Sequence, residues 1–120
     1  MNVTRTRNDL IVAALANLGL IQAGQAPEAD DVSAIDKYID GVINELALRG
    51  VVTISDPNAI PAEYFEALAI CVADAASAEF GARGQFTDAR FAPYPAGAEA
   101  RLRYMNSGKP TYQVLRTRYF

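Results

Sequence analysis

The chain contains no histidine, and its only cysteine is Cys71. Without histidine, Ser-His and Cys-His nucleophile pairs and the usual zinc and non-haem iron sites lose their commonest member. A single cysteine cannot close an intramolecular disulfide, so the fold cannot depend on oxidation, which fits a cytoplasmic or virion-like setting. No apolar run approaches the roughly 18 residues that suggest a membrane span, so no membrane partner is expected. After the arginine-bearing start MNVTRTRND, the polar residues Asn8, Asp9 and Asn17 interrupt any secretory core, so no signal peptide is expected either. Gly81 to Gly84 reads GARG and lacks the lysine and hydroxyl of a phosphate-binding loop. Together these absences point away from an enzyme, a metal site or a bound cofactor.

What is present is a chain of 120 residues, 51% hydrophobic, enough for one core. Its charge is unevenly spread. Residues 10–82 hold eleven acids against Lys37 and Arg49, whereas residues 83–120 hold seven bases against Asp88 and Glu99. An acidic body therefore carries a basic end, and after Glu99 no acid follows. The complement of that end is either this body, a neighbouring copy, another protein or nucleic acid.

The pattern predicts an all-α fold: a small bundle of three long helices plus a short fourth helix, followed by an extended C-terminal arm. Thr6 and Asp9 have the spacing of a capping box, and Leu10, Ile11, Ala14, Leu15 and Leu18 form one stripe ending at Gly19. The second helix follows the acids Glu28, Asp30 and Asp31 and ends at Gly50, with Val32, Ile35, Ile39, Val42, Ile43 and Leu46 as its core-facing seam. Val51 to Ile54 reads as a short strand or extended linker. Pro61 suits the first position of a third helix reaching about Phe80, with Phe65, Leu68, Cys71 and Val72 buried and much alanine elsewhere. That alanine suits close packing, either inside one bundle or between copies.

Three segments result: a helical core over 1–80, an irregular crossing with a short helix near Ala98 to Met105 over 81–109, and a docking arm over 110–120. In an extended arm Tyr112, Val114, Arg116 and Arg118 lie on one side, with Gln113, Leu115, Thr117 and Tyr119 on the other. Neither face is cleanly apolar, so the arm is a plausible strand only when paired. The pairs Asp36/Asp40 and Glu63/Glu66 could share a helical face and do acid-base work, but such pairs are common on solvated helices. Cys71, inside an apolar helix without a basic neighbour in sequence, reads as a small core residue.

Arginine interleaved with aromatics recurs in Arg101, Arg103 and Tyr104 and in Arg116, Arg118, Tyr119 and Phe120. This composition suits a protein interface and equally a nucleic-acid surface. The overall acidity favours protein, so Arg101, Arg103, Tyr112, Val114, Leu115, Arg116, Arg118, Tyr119 and Phe120 are the candidate partner-binding residues. The alternative is a small nucleic-acid-binding regulator using Arg101, Arg103, Arg116 and Arg118. A hydrolase built on a carboxylate pair would depend on Asp40 or Glu63.

The opening TRNDLIVAALANLGL, the acidic helix DDVSAIDKYIDGVINELALRGVV, the proline-bounded third helix and the basic aromatic end resemble the head-to-tail adaptors of tailed bacteriophages. The nearest likeness is to the tail accessory, or packaged-DNA-stabilisation, family of head-completion connectors. It covers residues 4–80 best, with T-R-x-D-L-x-x-x-A-L-x-x-L-G at Thr6 to Gly19 as its most recognisable piece. The resemblance implies a helical domain repeated in a ring, typically twelvefold, under the portal protein. That ring extends the DNA channel, retains the packaged genome and offers a platform for tail, nozzle or stopper proteins. It also implies a place at the head-tail junction of the virion, after assembly in the host cytoplasm, with DNA passing through unbound and no cofactor or catalytic residue.

Overall fold

The computed structural model describes residues 3–22 and 24–107. The chain is mostly helical. Strand β1 (Thr4–Arg5) leads into α1 (Arg7–Asn17), followed by α2 (Ala29–Leu48), strand β2 (Ile60–Pro61) and α3 (Ala62–Ala76). A 3-10 turn at Ser77–Phe80, the short helix α4 (Thr87–Phe91) and α5 (Ala98–Ser107) complete the order. The arm expected over 110–120 lies outside the described residues.

Local chemistry sets the helix ends. The Thr6 hydroxyl accepts from the Asp9 amide at 3.0 Å, and the Asp9 carboxylate accepts from the Thr6 amide at 3.1 Å. This is the reciprocal capping box that the spacing predicts. Both α1 and α2 stop at a glycine with positive φ, Gly19 at 77° and Gly50 at 72°. There the amides of Leu20 and Val51 reach back to the carbonyls of Leu15 and Leu46, a double closure that needs a left-handed residue between.

Helix α3 is the centre of the fold, and α1, α2 and α5 all pack on it. Leu10, Ile11, Ala14 and Leu15 of α1 and Ile35, Ile39, Val42, Ile43 and Leu46 of α2 are buried as their stripes predict. Of the α3 alanines, Ala67, Ala69, Ala73 and Ala76 are buried inside this one chain, so small side chains there let neighbouring helices approach closely. Val51, Val52 and Ile54 are buried as an extended linker and not as a strand.

Three features depart from the sequence expectation. Pro61 stands one residue before α3 and belongs to β2, where it pairs antiparallel with Thr4 while Ile60 pairs with Arg5. Two-residue strands so far apart in sequence leave no periodic signal. The third helix tightens into the 3-10 turn after Ala76. The crossing also contains α4, only five residues long and thus too short for an apolar stripe. Between α4 and α5 the chain makes a cis bond at Tyr94–Pro95 and folds tightly enough that a Cβ on Gly97 would stand 1.9 Å from the Ala92 carbonyl oxygen.

Candidate interaction surface

The α4–α5 corner is held by a buried charge network that no sequence stripe announces. Arg90, in α4, is only 4% exposed. Its Nε donates to Glu99 at 2.7 Å, its Nη1 to Asp74 at 2.9 Å and its Nη2 to Glu45 at 3.2 Å. Arg49 donates to the same Glu99 oxygen and lies 3.6 Å from Glu45. Arg90, Glu45, Arg49 and Glu99 thus close a ring of alternating charge, with Asp74 attached to Arg90. The ring ties α2, α4 and α5 together, and Asp74 adds α3.

A planar guanidinium with donors on several edges can satisfy three carboxylates from three elements, which an ammonium on a flexible stem does less well. Burial draws the Arg90 guanidinium toward neutrality, but hydrogen bonds to Asp74 and Glu99 outweigh it and hold its pKa above the ordinary value. For Glu99, burial raises the carboxyl, while Arg49 and Arg90 overcome that and hold it below its usual range. Both therefore stay charged at neutral pH. Glu45 and Arg49, one turn apart at the end of α2, lie within ion-pair distance and also join the wider ring.

The other ionic pairs are engaged too. Arg7 donates to Asp36 at 2.6 Å and to Asp40 at 2.9 Å. Hydrogen bonds from Arg7 hold the Asp40 carboxyl below its ordinary pKa, the reverse of what a general acid needs at neutral pH. Glu79 accepts from the Tyr38 hydroxyl at 2.7 Å and lies 3.3 Å from Lys37. Cys71 is fully buried, and burial pushes its thiol up to about 12, so it is an inert core residue as the sequence suggests. Among the described residues, no group of three or more His, Cys, Asp or Glu side chains could hold a metal ion. None of the described helices is long and apolar enough to cross a membrane.

What this frame presents outward is aromatic. Phe91, Tyr94 and Tyr104 are 52%, 52% and 59% exposed, and the Tyr94 and Tyr104 rings stack at 4.6 Å. The stack forms a ridge between two grooves. On one side, a groove of about 520 Å³ is lined by Phe91, Pro93, Ala100 and Arg103 and reaches Ser107 at the end of α5. On the other, a groove of about 380 Å³ is lined by Arg5, Phe65, Glu66, Arg101 and Met105. Arg5 lies over the Phe65 ring at 4.5 Å, and the Arg101 Nε is shielded from solvent with no hydrogen-bond partner among the described residues.

Of the expected partner-binding residues, Arg101 and Arg103 are on α5 and line different grooves. Two positions apart on a helix, they lie on nearly opposite faces. Tyr112, Val114, Leu115, Arg116, Arg118, Tyr119 and Phe120 lie outside the described residues. Phe91 and Tyr94 were not among the expected residues, although their place in the proline-bounded run FAPYP was a usable signal, because exposed aromatics in a tight loop have little core role. Arg90, counted by sequence within the basic end, instead neutralises acids of the body. Comparison with protein-family models, curated proteins and solved structures finds no match to this chain.

Proposed function

We propose that this protein is a structural head-to-tail adaptor of a tailed bacteriophage. In this reading the helices form a compact bundle whose C-terminal arm reaches a partner, and copies assemble in a ring, typically of twelve, under the portal protein. The ring extends the DNA channel, retains the packaged genome and receives the tail, nozzle or stopper proteins. The protein works in the virion, without a cofactor or a catalytic step.

The observation that carries this reading is the aromatic ridge of Tyr94 and Tyr104, set with Phe91 and Arg103 on a corner braced by buried ion pairs. Aromatic side chains and arginine are the residue types enriched at protein interfaces, and a rigid base lowers the ordering cost of docking. The alternative nucleic-acid reading loses support. Arg90 is occupied internally and Arg101 and Arg103 diverge, so α4 and α5 offer no continuous basic track for phosphates.

The test is deletion of residues 110–120. The shortened chain should keep its helical circular dichroism and cooperative unfolding but fail to attach to portal-containing heads. Normal attachment by the shortened chain would overturn the arm's role. Salt-dependent binding of short DNA by the isolated protein would favour the regulator instead.

A further inference from the structure

We infer that two copies of the free protein dock on each other about a two-fold axis, the Tyr94–Tyr104 ridge of each entering the groove of Arg5, Phe65, Glu66 and Arg101 on the other. Shape points to a second copy. Tyr94 and Tyr104 themselves line the edge of that groove, so a convex ridge and a concave groove lie side by side on one surface. A half-turn about an axis between such a pair sets each ridge into the opposite groove, which is the isologous contact of a two-fold dimer.

Hydrogen bonding selects the same occupant. Arg101 makes no hydrogen bond or ion pair among the described residues, and its Nε is already shielded from solvent, so the groove holds a guanidinium short of acceptors. Glu66 lines the same groove, is exposed, and likewise has no hydrogen-bond or ion-pair partner among the described residues. A phenol hydroxyl answers both, because it accepts from a guanidinium and donates to a carboxylate. Its ring then lies against Phe65 and Met105. Tyr94 and Tyr104 are more than half exposed, and nothing among the described residues engages their hydroxyls.

Charge and area agree. The chain carries a formal charge of -3, so two copies repel over most of their surface, but on this face Arg5, Arg101 and Arg103 offset Glu63 and Glu66. The exposed parts of Phe91, Tyr94 and Tyr104 on two copies, with the groove walls that cover them, come to roughly 1,200 Å², the low end for a specific contact. The dimer is therefore weak and comes apart on dilution.

Sedimentation velocity of the full chain, from low-micromolar to near-millimolar concentration, should show a monomer passing reversibly to a dimer and stopping there. Tyr104→Ser and Arg101→Met should each weaken that dimer by about ten-fold, with unchanged circular dichroism. Tyr104 is largely exposed, so its variant keeps the test alive even where Arg101→Met fails to fold. Cys71 is buried, so a nitroxide attached to Asn106→Cys, exposed on α5, reports the separation of the copies alone. A single narrow distance is expected.

A monomer at every concentration would overturn the inference. So would association that survives both substitutions, or growth beyond a dimer with several spin–spin distances, which would mark a head-to-tail contact instead. None of these readings involves portal-containing heads, so the adaptor assignment and this inference can fail separately.

Discussion

Arg90 Nε and Glu99 Oε2 lie 2.7 Å apart in the interior, joining α4 to α5 across a tight loop. Because Glu99 also receives Arg49, and Arg90 also reaches Asp74 and Glu45, this one bond fixes the corner against both α2 and α3. The exposed ridge of Tyr94 and Tyr104 is carried by that corner. Rigidity underneath and aromatic surface above are therefore parts of one construction.

Removing the guanidinium should be costly. Arg90→Met leaves the half-buried Asp74 without its guanidinium and the buried Glu99 with Arg49 alone, a loss of about 3–5 kcal/mol by analogy with other broken buried ion pairs. Urea unfolding should show the midpoint falling accordingly. A change under about 1 kcal/mol would mean that Arg49 or water replaces Arg90 fully.

Acid should weaken the same corner. The folded state holds Glu99 below its ordinary pKa of 4.5, so the folded protein binds that proton less readily than the unfolded chain does. The corresponding stability is whole above pH 4.5 and is lost as pH falls through the lower, folded value. Unfolding midpoints measured from neutral pH downward should therefore drop in the acid range, and Glu99→Gln should flatten that drop while lowering stability at neutral pH. An unchanged acid slope in the variant would move the effect to other carboxylates.

The capping box offers a smaller, cleaner measurement. Thr6→Ala removes the acceptor for the Asp9 amide and should cost about 1 kcal/mol, with the remaining fold intact. Serine in its place should recover most of that loss. Equal destabilisation by Ser and Ala would show that the methyl group's contacts, and not the hydrogen bond, carry the effect.

Cys71 should be silent toward thiol reagents in the native protein. Burial raises its thiol to about 12, so the folded state disfavours thiolate while the unfolded chain forms it near the ordinary value of 9.0. Labelling at pH 8 should be slow, at a rate set by transient opening, and should become fast in denaturant. The same shift means that stability from this group is whole below pH 9.0 and declines as pH rises above it. Native labelling as fast as in denaturant would contradict the burial.

Much of the helical frame was legible in the chain. The Thr6–Asp9 box and the glycine stops at Gly19 and Gly50 are local signals, written in a few adjacent residues and read by backbone hydrogen bonding alone. The seam from Ile35 to Leu46 was equally readable, because one buried face imposes a fixed period. The candidate site was far less so. Arg101 and Arg103 were visible as arginines but not as residues of two separate grooves, and the exposed Phe91 and Tyr94 sat in a run whose short helix carries no period.

By itself, then, the sequence determined the helices α1 and α2, the glycines at which they stop and the faces they turn inward, because these follow from spacing within one turn or a few. Only the tertiary structure decided which charges cancel: Arg7 takes Asp36 and Asp40, and Arg90 takes Glu99, Asp74 and Glu45. These partners lie up to 45 residues apart in the chain. Ion pairing depends on distances of a few ångströms between side chains from different elements, and charge order along the chain does not encode those distances.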